Sequence, residues 1–224
     1  MHAVVEEDIT SAYLRALEKV VEQNYVFALI VEIKKPFIDS DSVVDEEIGL
    51  VGLNLDLNLH NKFKTYEFKD GKNGSRWIKN RINELFKGIY HKGITNYGQL
   101  EFVQNALKNI KARRYTWCSN RLLCITFNPH DKHLSHIHLE RQPVSPCLVL
   151  LDFKPERDNL HLIASWRAQY FDTKAYGNLI SLAILLKEVC KNTGYRHGRL
   201  ISIAHKAILR DKEDGRKLVE RLKS

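Results

Sequence analysis

Three side chains in the C-terminal half are of types that could do chemistry together. Cys147 opens the apolar run 147–153 (CLVLLDF) directly after Pro146. Arg167 follows the next strand-like run, and Asn178 enters a helical pattern. A cysteine becomes a nucleophile when nearby positive charge lowers its pKa. A guanidinium grips an oxyanion through two parallel N–H bonds. A carboxamide both donates and accepts, so it can read the edge of a heterocycle. Together the three could hold and attack an anionic heterocyclic substrate. Each also has a plain structural reading. Cys147 could be an inert strand thiol, and Arg167 could pair with Asp152 or Asp172. Asn178 could cap its helix, with Ser181 completing the cap.

These residues need elements to position them. Residues 8–23 carry Ile9, Tyr13, Leu17, Val20 and Val21 at helical spacing, with Thr10 or Ser11 as the expected cap. Residues 26–33 (VFALIVEI) read as a strand, and Pro36 ends it before the acidic loop 37–46. Strict alternation over 52–59 (GLNLDLNL) predicts a half-buried strand. Helices are expected over 76–91 and 99–111, and a strand over 122–127 closed by Asn128-Pro129. The strands 147–153 and 160–166 are separated by Pro155, Asp158 and Asn159 and form a hairpin. Residues 177–191 make the clearest helix, a buried one stopped by Thr193-Gly194. A strand over 199–205 and a charged surface helix over 211–224 complete the chain. The mixture predicts an α+β fold, a mostly antiparallel or mixed sheet covered by helices on one side.

At 224 residues the chain reads as a single domain, 1–224. No run approaches the apolar length that spans a bilayer. Glu6, Glu7 and Asp8 occupy the place of a basic leader region, so no secretory signal is expected and the location is cytoplasmic. Cys118, Cys124, Cys147 and Cys190 lack the spacing of a zinc or disulfide framework and read as reduced thiols. His130, His133, His136 and His138 cluster in a polar loop, but no matching distant ligand pair exists, so no metal is expected. A net charge of +8 favours anionic partners. Arg113, Arg114, Tyr115 and Trp117 mix basic and aromatic side chains as nucleic-acid surfaces do, and also fit a helix end with an exposed turn.

Over residues 110–206 an ordered set of segments resembles the thymidylate synthase and pyrimidine hydroxymethylase family, in its short archaeal type. Asn120-Arg121-Leu122-Leu123-Cys124-Ile125-Thr126-Phe127 is similar to the segment that opens with paired arginines. Pro146-Cys147-Leu148 resembles the nucleophile motif, and Ser165-Trp166-Arg167-Ala168 the segment with the phosphate arginine. Gly177-Asn178-Leu179-Ile180-Ser181 resembles the base-reading segment, at the family's interval from Arg167. Ser202-Ile203-Ala204-His205 is similar to the segment whose histidine contacts the sugar.

The resemblance implies a thymidylate synthase-like fold and transfer of a one-carbon unit to C5 of a pyrimidine nucleoside monophosphate. Adding the Cys147 thiolate to C6 would make C5 nucleophilic. Asn178, rather than an aspartate, favours uracil and hence dUMP. Arg167 would bind the phosphate together with Arg121 of a second subunit, and His205 the sugar. A homodimer packed sheet to sheet is implied, with 5,10-methylenetetrahydrofolate as carbon donor.

The chain departs from the family at defined places. Ala168 replaces the serine that supports phosphate binding, and Tyr170 the aspartate that engages the folate. Ala207 replaces the tyrosine that shares the sugar hydroxyl. Gln23-Asn24-Tyr25-Val26 holds no arginine where a phosphate loop has one; Arg113-Arg114 or a lysine could cover that loss. Glu84 is the candidate for the glutamate that organises water. Two alternatives stay open. One is a divergent protein that binds nucleotide without the folate chemistry, and the other is a basic nucleic-acid-binding domain.

Overall fold

The computed structural model describes residues 2–36, 76, 79, 80, 98–113, 122–126 and 147–223. The expected strand 52–59, most of the helix 76–91, Glu84, Arg114, Arg121 and the His130–His138 cluster lie outside them.

The elements are β1 (His2–Glu6), α1 (Ile9–Gln23), β2 (Tyr25–Ile33), α2 (Gln99–Lys111), β3 (Leu123–Ile125), β4 (Leu148–Glu156), β5 (Asn159–Trp166), β6 (Gln169–Tyr170), α3 (Ala175–Thr193), β7 (Arg196–Ile208) and α4 (Lys212–Lys223). The described strands form one sheet in the order β1-β2-β7-β5-β4-β3, with β6 beside β7. It is mixed: β1 runs parallel to β2, and β5 and β6 parallel to β7; the other pairs are antiparallel. The expected α+β class is what the chain forms.

Strand alternation explains the layering. Leu160, Leu162, Ala164 and Trp166 of β5 are buried, as are Leu200, Ser202 and Ala204 of β7; the residues between them are half-buried or exposed. One sheet face therefore carries α1 and α3, which pack on β2 and on β5 and β7. α1 turns Ala12, Tyr13, Ala16, Leu17 and Val20 inward. Its cap is Asp8 rather than Thr10 or Ser11: the Asp8 carboxylate accepts from the Ser11 N–H (2.9 Å) and hydroxyl (2.8 Å). α3 is buried on most of its circumference, the pattern of a helix in the middle of its layer. α4 is charged, as expected, but it sinks Leu218 and lies along α1.

The opposite face bears Ile30, Ile163, Ile201 and Ile203, half-buried and crossed by the Arg199–Glu32 ion pair (2.7 Å). None of the four described helices covers it.

The sheet bends along one row. In a regular strand, residues on one face are an even number apart. Here successive buried residues are three apart within three strands, at Val26 and Leu29 of β2, Ala204 and Ala207 of β7, and Leu148 and Leu151 of β4, and again at Trp166 and Gln169 where β5 passes to β6. Ala28 stands on this row with φ 51, and the β4 register shifts against β5 between Leu148 and Leu150. Extra residues of this kind bend a sheet, re-aim side chains and concentrate at functional sites.

Candidate functional site

Cys147 precedes β4 by one residue and Arg167 follows β5 by one, because Leu148 lies opposite Trp166 in the hairpin. The Arg167 N–H donates to the Cys147 carbonyl (2.8 Å), so the two residues face each other across the strand ends. Trp166 is also opposite Ala204 of β7, which places His205 next in the row. Residues far apart in the sequence thus meet at the bend.

Cys147 is the exposed thiol among the described residues; Cys124 and Cys190 are buried. Burial and the nearby Asp152 charge push the Cys124 thiol up to about 12. Burial does the same to Cys190, to about 12, against the opposing pull of Lys111. Both stay protonated at neutral pH, and a protonated thiol is a poor nucleophile.

Asn178 does not cap α3. The helix begins two residues earlier than the sequence pattern suggested, with Lys174 at the cap, so Asn178 lies inside the first turns. Its backbone N–H donates to the Lys174 carbonyl (3.0 Å), and Ser181 bonds the Gly177 carbonyl (2.7 Å) instead of completing a cap. The Asn178 side chain is 3% exposed and its Oδ1 has no hydrogen-bond partner among the described residues. A buried carbonyl oxygen without a donor is unusual and calls for a water or a ligand. Trp166 Nε1, Gln169 Nε2 and Ser202 Oγ share this condition, as do Asp172 Oδ1 and Thr173 Oγ1 just ahead of α3. Sequence reasoning missed Trp166 and Gln169, whose signal was two large polar side chains flanking Arg167 at the end of an apolar strand.

His205 is placed differently. Its Nε2 lies 3.0 Å from Ser165 Oγ. Ser165 alternates with the buried Ala164 and Trp166, so the His205 ring is on the face away from α3 and Asn178.

The segment between Arg167 and α3 is tied down. Tyr13 Oη donates to the Phe171 carbonyl (2.7 Å), and the Phe171 N–H donates to Ile208 (2.8 Å). The buried Asp172 accepts through Oδ2 from the backbone N–H groups of Arg210 and Asp211, both at 2.8 Å. Its role is this brace. Asp152 forms an ion pair with Lys154 (2.9 Å). Tyr170 is partly exposed beside Ile208, in the place where the resembled family carries its folate-binding aspartate. Asp172, the next acid along, is engaged by two donors. The described residues therefore do not fit that folate site. Arg113 cannot cover a missing phosphate arginine either, since it borders Pro155 and Arg157 at the far end of the hairpin.

No protein-family model and no curated protein matches the chain. Its fold is similar to that of a solved structure, thermostable thymidylate synthase A from Bacillus subtilis, with a TM-score of 0.60 and 12% identity. The match covers 95% of this chain and 84% of the synthase chain. No described helix is long and apolar enough to cross a membrane.

Proposed function

We propose that the protein is a thymidylate synthase-like enzyme acting on a pyrimidine nucleoside monophosphate, with dUMP favoured. The observation that carries this reading is the exposed Cys147, whose backbone carbonyl accepts the Arg167 N–H so that the two residues lie opposite each other at the bend of a sheet of this fold. Arg167 holds the phosphate, joined by Arg121 of a second subunit. The buried Asn178 amide reads the base, and its unpartnered Oδ1 accepts the N3–H of uracil. The Cys147 thiolate adds to C6 and the C5–C6 electron pair moves into the carbonyl, making C5 a nucleophile. Reprotonation at C5 and loss of the thiolate return the starting base. The sugar contact expected of His205 requires its ring to leave Ser165.

The carbon donor implied by the resemblance is methylenetetrahydrofolate. Because Tyr170 and the braced Asp172 do not fit its family site, no step is assigned to it. That mismatch favours a second reading, a nucleotide-binding protein of this fold without carbon transfer. A homodimer is proposed through the sheet face that none of the described helices covers, whose half-buried isoleucines a second copy would shield. Sedimentation velocity checks it: a monomer at micromolar concentration contradicts the pairing.

The chemistry is tested by following the C5 proton of dUMP, dCMP, UMP and CMP in heavy water by NMR. Exchange with dUMP that Cys147→Ala abolishes supports the enzyme. Saturable dUMP binding without exchange supports the second reading. A +8 domain that ignores mononucleotides but binds polynucleotide with steep salt dependence would replace both.

A further inference from the structure

The end of the β4–β5 hairpin remote from Cys147 borders a cleft of about 520 Å³. Lys111, Arg113, Pro155, Arg157, Asp158 and Tyr195 line it. The nine residues of β4, about 30 Å of extended chain, separate it from Cys147. Its volume is that of a small-molecule site.

Two of its charges are accounted for within the fold. Lys111 Nζ bonds the Gly194 carbonyl at the end of α3 and lies 4.8 Å from the centre of the Tyr195 ring. Asp158 faces the Arg196 guanidinium at 3.8 Å. The side chains of Arg113 and Arg157 have no partner among the described residues.

Local geometry does not explain these two arginines. Arg157 is the first of two residues joining Glu156 to Asn159, and its φ is 53. Two-residue hairpin loops with a positive φ at that position prefer glycine. Arg113 follows Ala112, the C-cap of α2, with φ 54, again a position where glycine is favoured. α3 also leaves its last turn through a residue of positive φ, and there it is a glycine, Gly194 at φ 76. The chain thus puts a long cation at both glycine-type positions, and both border one cleft.

The geometry points to an anion site here: the cleft binds a phosphorylated small molecule of nucleotide size. Arg113 and Arg157 hold the phosphates in bidentate fashion, and the organic part lies against Ile110 and Pro155. The site is separate from the chemistry proposed at Cys147 and stands or falls without it.

The test is titration of the ¹⁵N-labelled protein with ADP, following backbone amide shifts. Saturable shifts centred on Arg113, Arg157 and Tyr195, with affinity about tenfold weaker in Arg113→Gln/Arg157→Gln, support the site. The double variant changes only exposed ends of side chains, and an otherwise unchanged spectrum verifies its fold. No saturation up to roughly 10 mM ADP overturns the assignment, as does equal affinity in the variant. Shifts confined to Cys147 and Arg167 overturn it too, because ADP would then be using the other site. A short oligothymidylate that moves the cleft amides more tightly than ADP, with steep salt dependence, overturns the small-molecule reading in favour of a nucleic-acid surface.

Discussion

Replacing Asp172 with Ala tests how the segment bearing Arg167 is held. The carboxylate is 5% exposed and accepts two backbone N–H bonds at 2.8 Å, from Arg210 and Asp211. Asp211 in turn begins α4, accepting from Asp214 N–H (3.0 Å). One buried side chain therefore joins the end of the Arg167 segment to the exit of β7 and the start of α4. Hydrogen bonds to a charged group contribute about 1.5–3 kcal/mol each. The two donors lie on a turn that water can reach once the carboxylate is gone, so the losses do not simply add. We expect about 3 kcal/mol of destabilisation in urea unfolding, with the m-value unchanged. Asp172→Asn keeps one acceptor oxygen and should lose about half as much. If Asp172→Ala costs less than about 0.5 kcal/mol, the range of an ordinary surface change, Asp172 is not the brace.

Three other outcomes follow from the same structure. Alkylation at neutral pH, mapped by mass spectrometry, should modify Cys147 far faster than Cys124 or Cys190, whose thiols are held up to about 12; equal rates would contradict their burial. Stability should fall with rising alkalinity, as measured by urea unfolding. The raised thiols and the buried Tyr13 bind protons more tightly folded than unfolded, so each contributes a loss that begins above its ordinary value, 9.0 for the thiols and 10.0 for tyrosine. Tyr13→Phe should flatten the portion above pH 10. Arg157→Gly should raise stability by about 0.5 kcal/mol, because glycine adopts φ 53 without steric cost; a loss of that size would mean that the side chain supports the hairpin.

Much of the fold was legible because it rests on short-range pattern. The alternation of 160–166 and the apolar run 147–153 specify a hairpin, and the turn residues between them fix its register. The same register brings Cys147 opposite Arg167, so that pairing was implicit in the sequence. Side-chain detail was less legible. Asn178 reads as a cap because Gly177 looks like a helix entrance, yet Ala175 and Tyr176 are buried and carry the helix further back. His205 reads as a companion of Asn178, but parity along β7 turns its ring to Ser165. The bend itself depends on extra residues aligned across neighbouring strands, a relation between segments that no single segment displays. Asp172 showed as a pairing option for Arg167 because backbone donors from a strand exit some forty residues later are invisible in sequence.

The central claim is that Cys147 activates C5 of a pyrimidine nucleotide, and loss of the C5 proton of dUMP in heavy water tests it most directly. The reaction requires thiolate addition and a proton relay but no carbon donor, so the ill-fitting folate site does not enter. The account predicts exchange with dUMP that disappears in Cys147→Ala, while the variant still binds dUMP through Arg167 and Asn178. Exchange that survives in Cys147→Ala, or its absence from the unaltered protein with all four nucleotides, would contradict it.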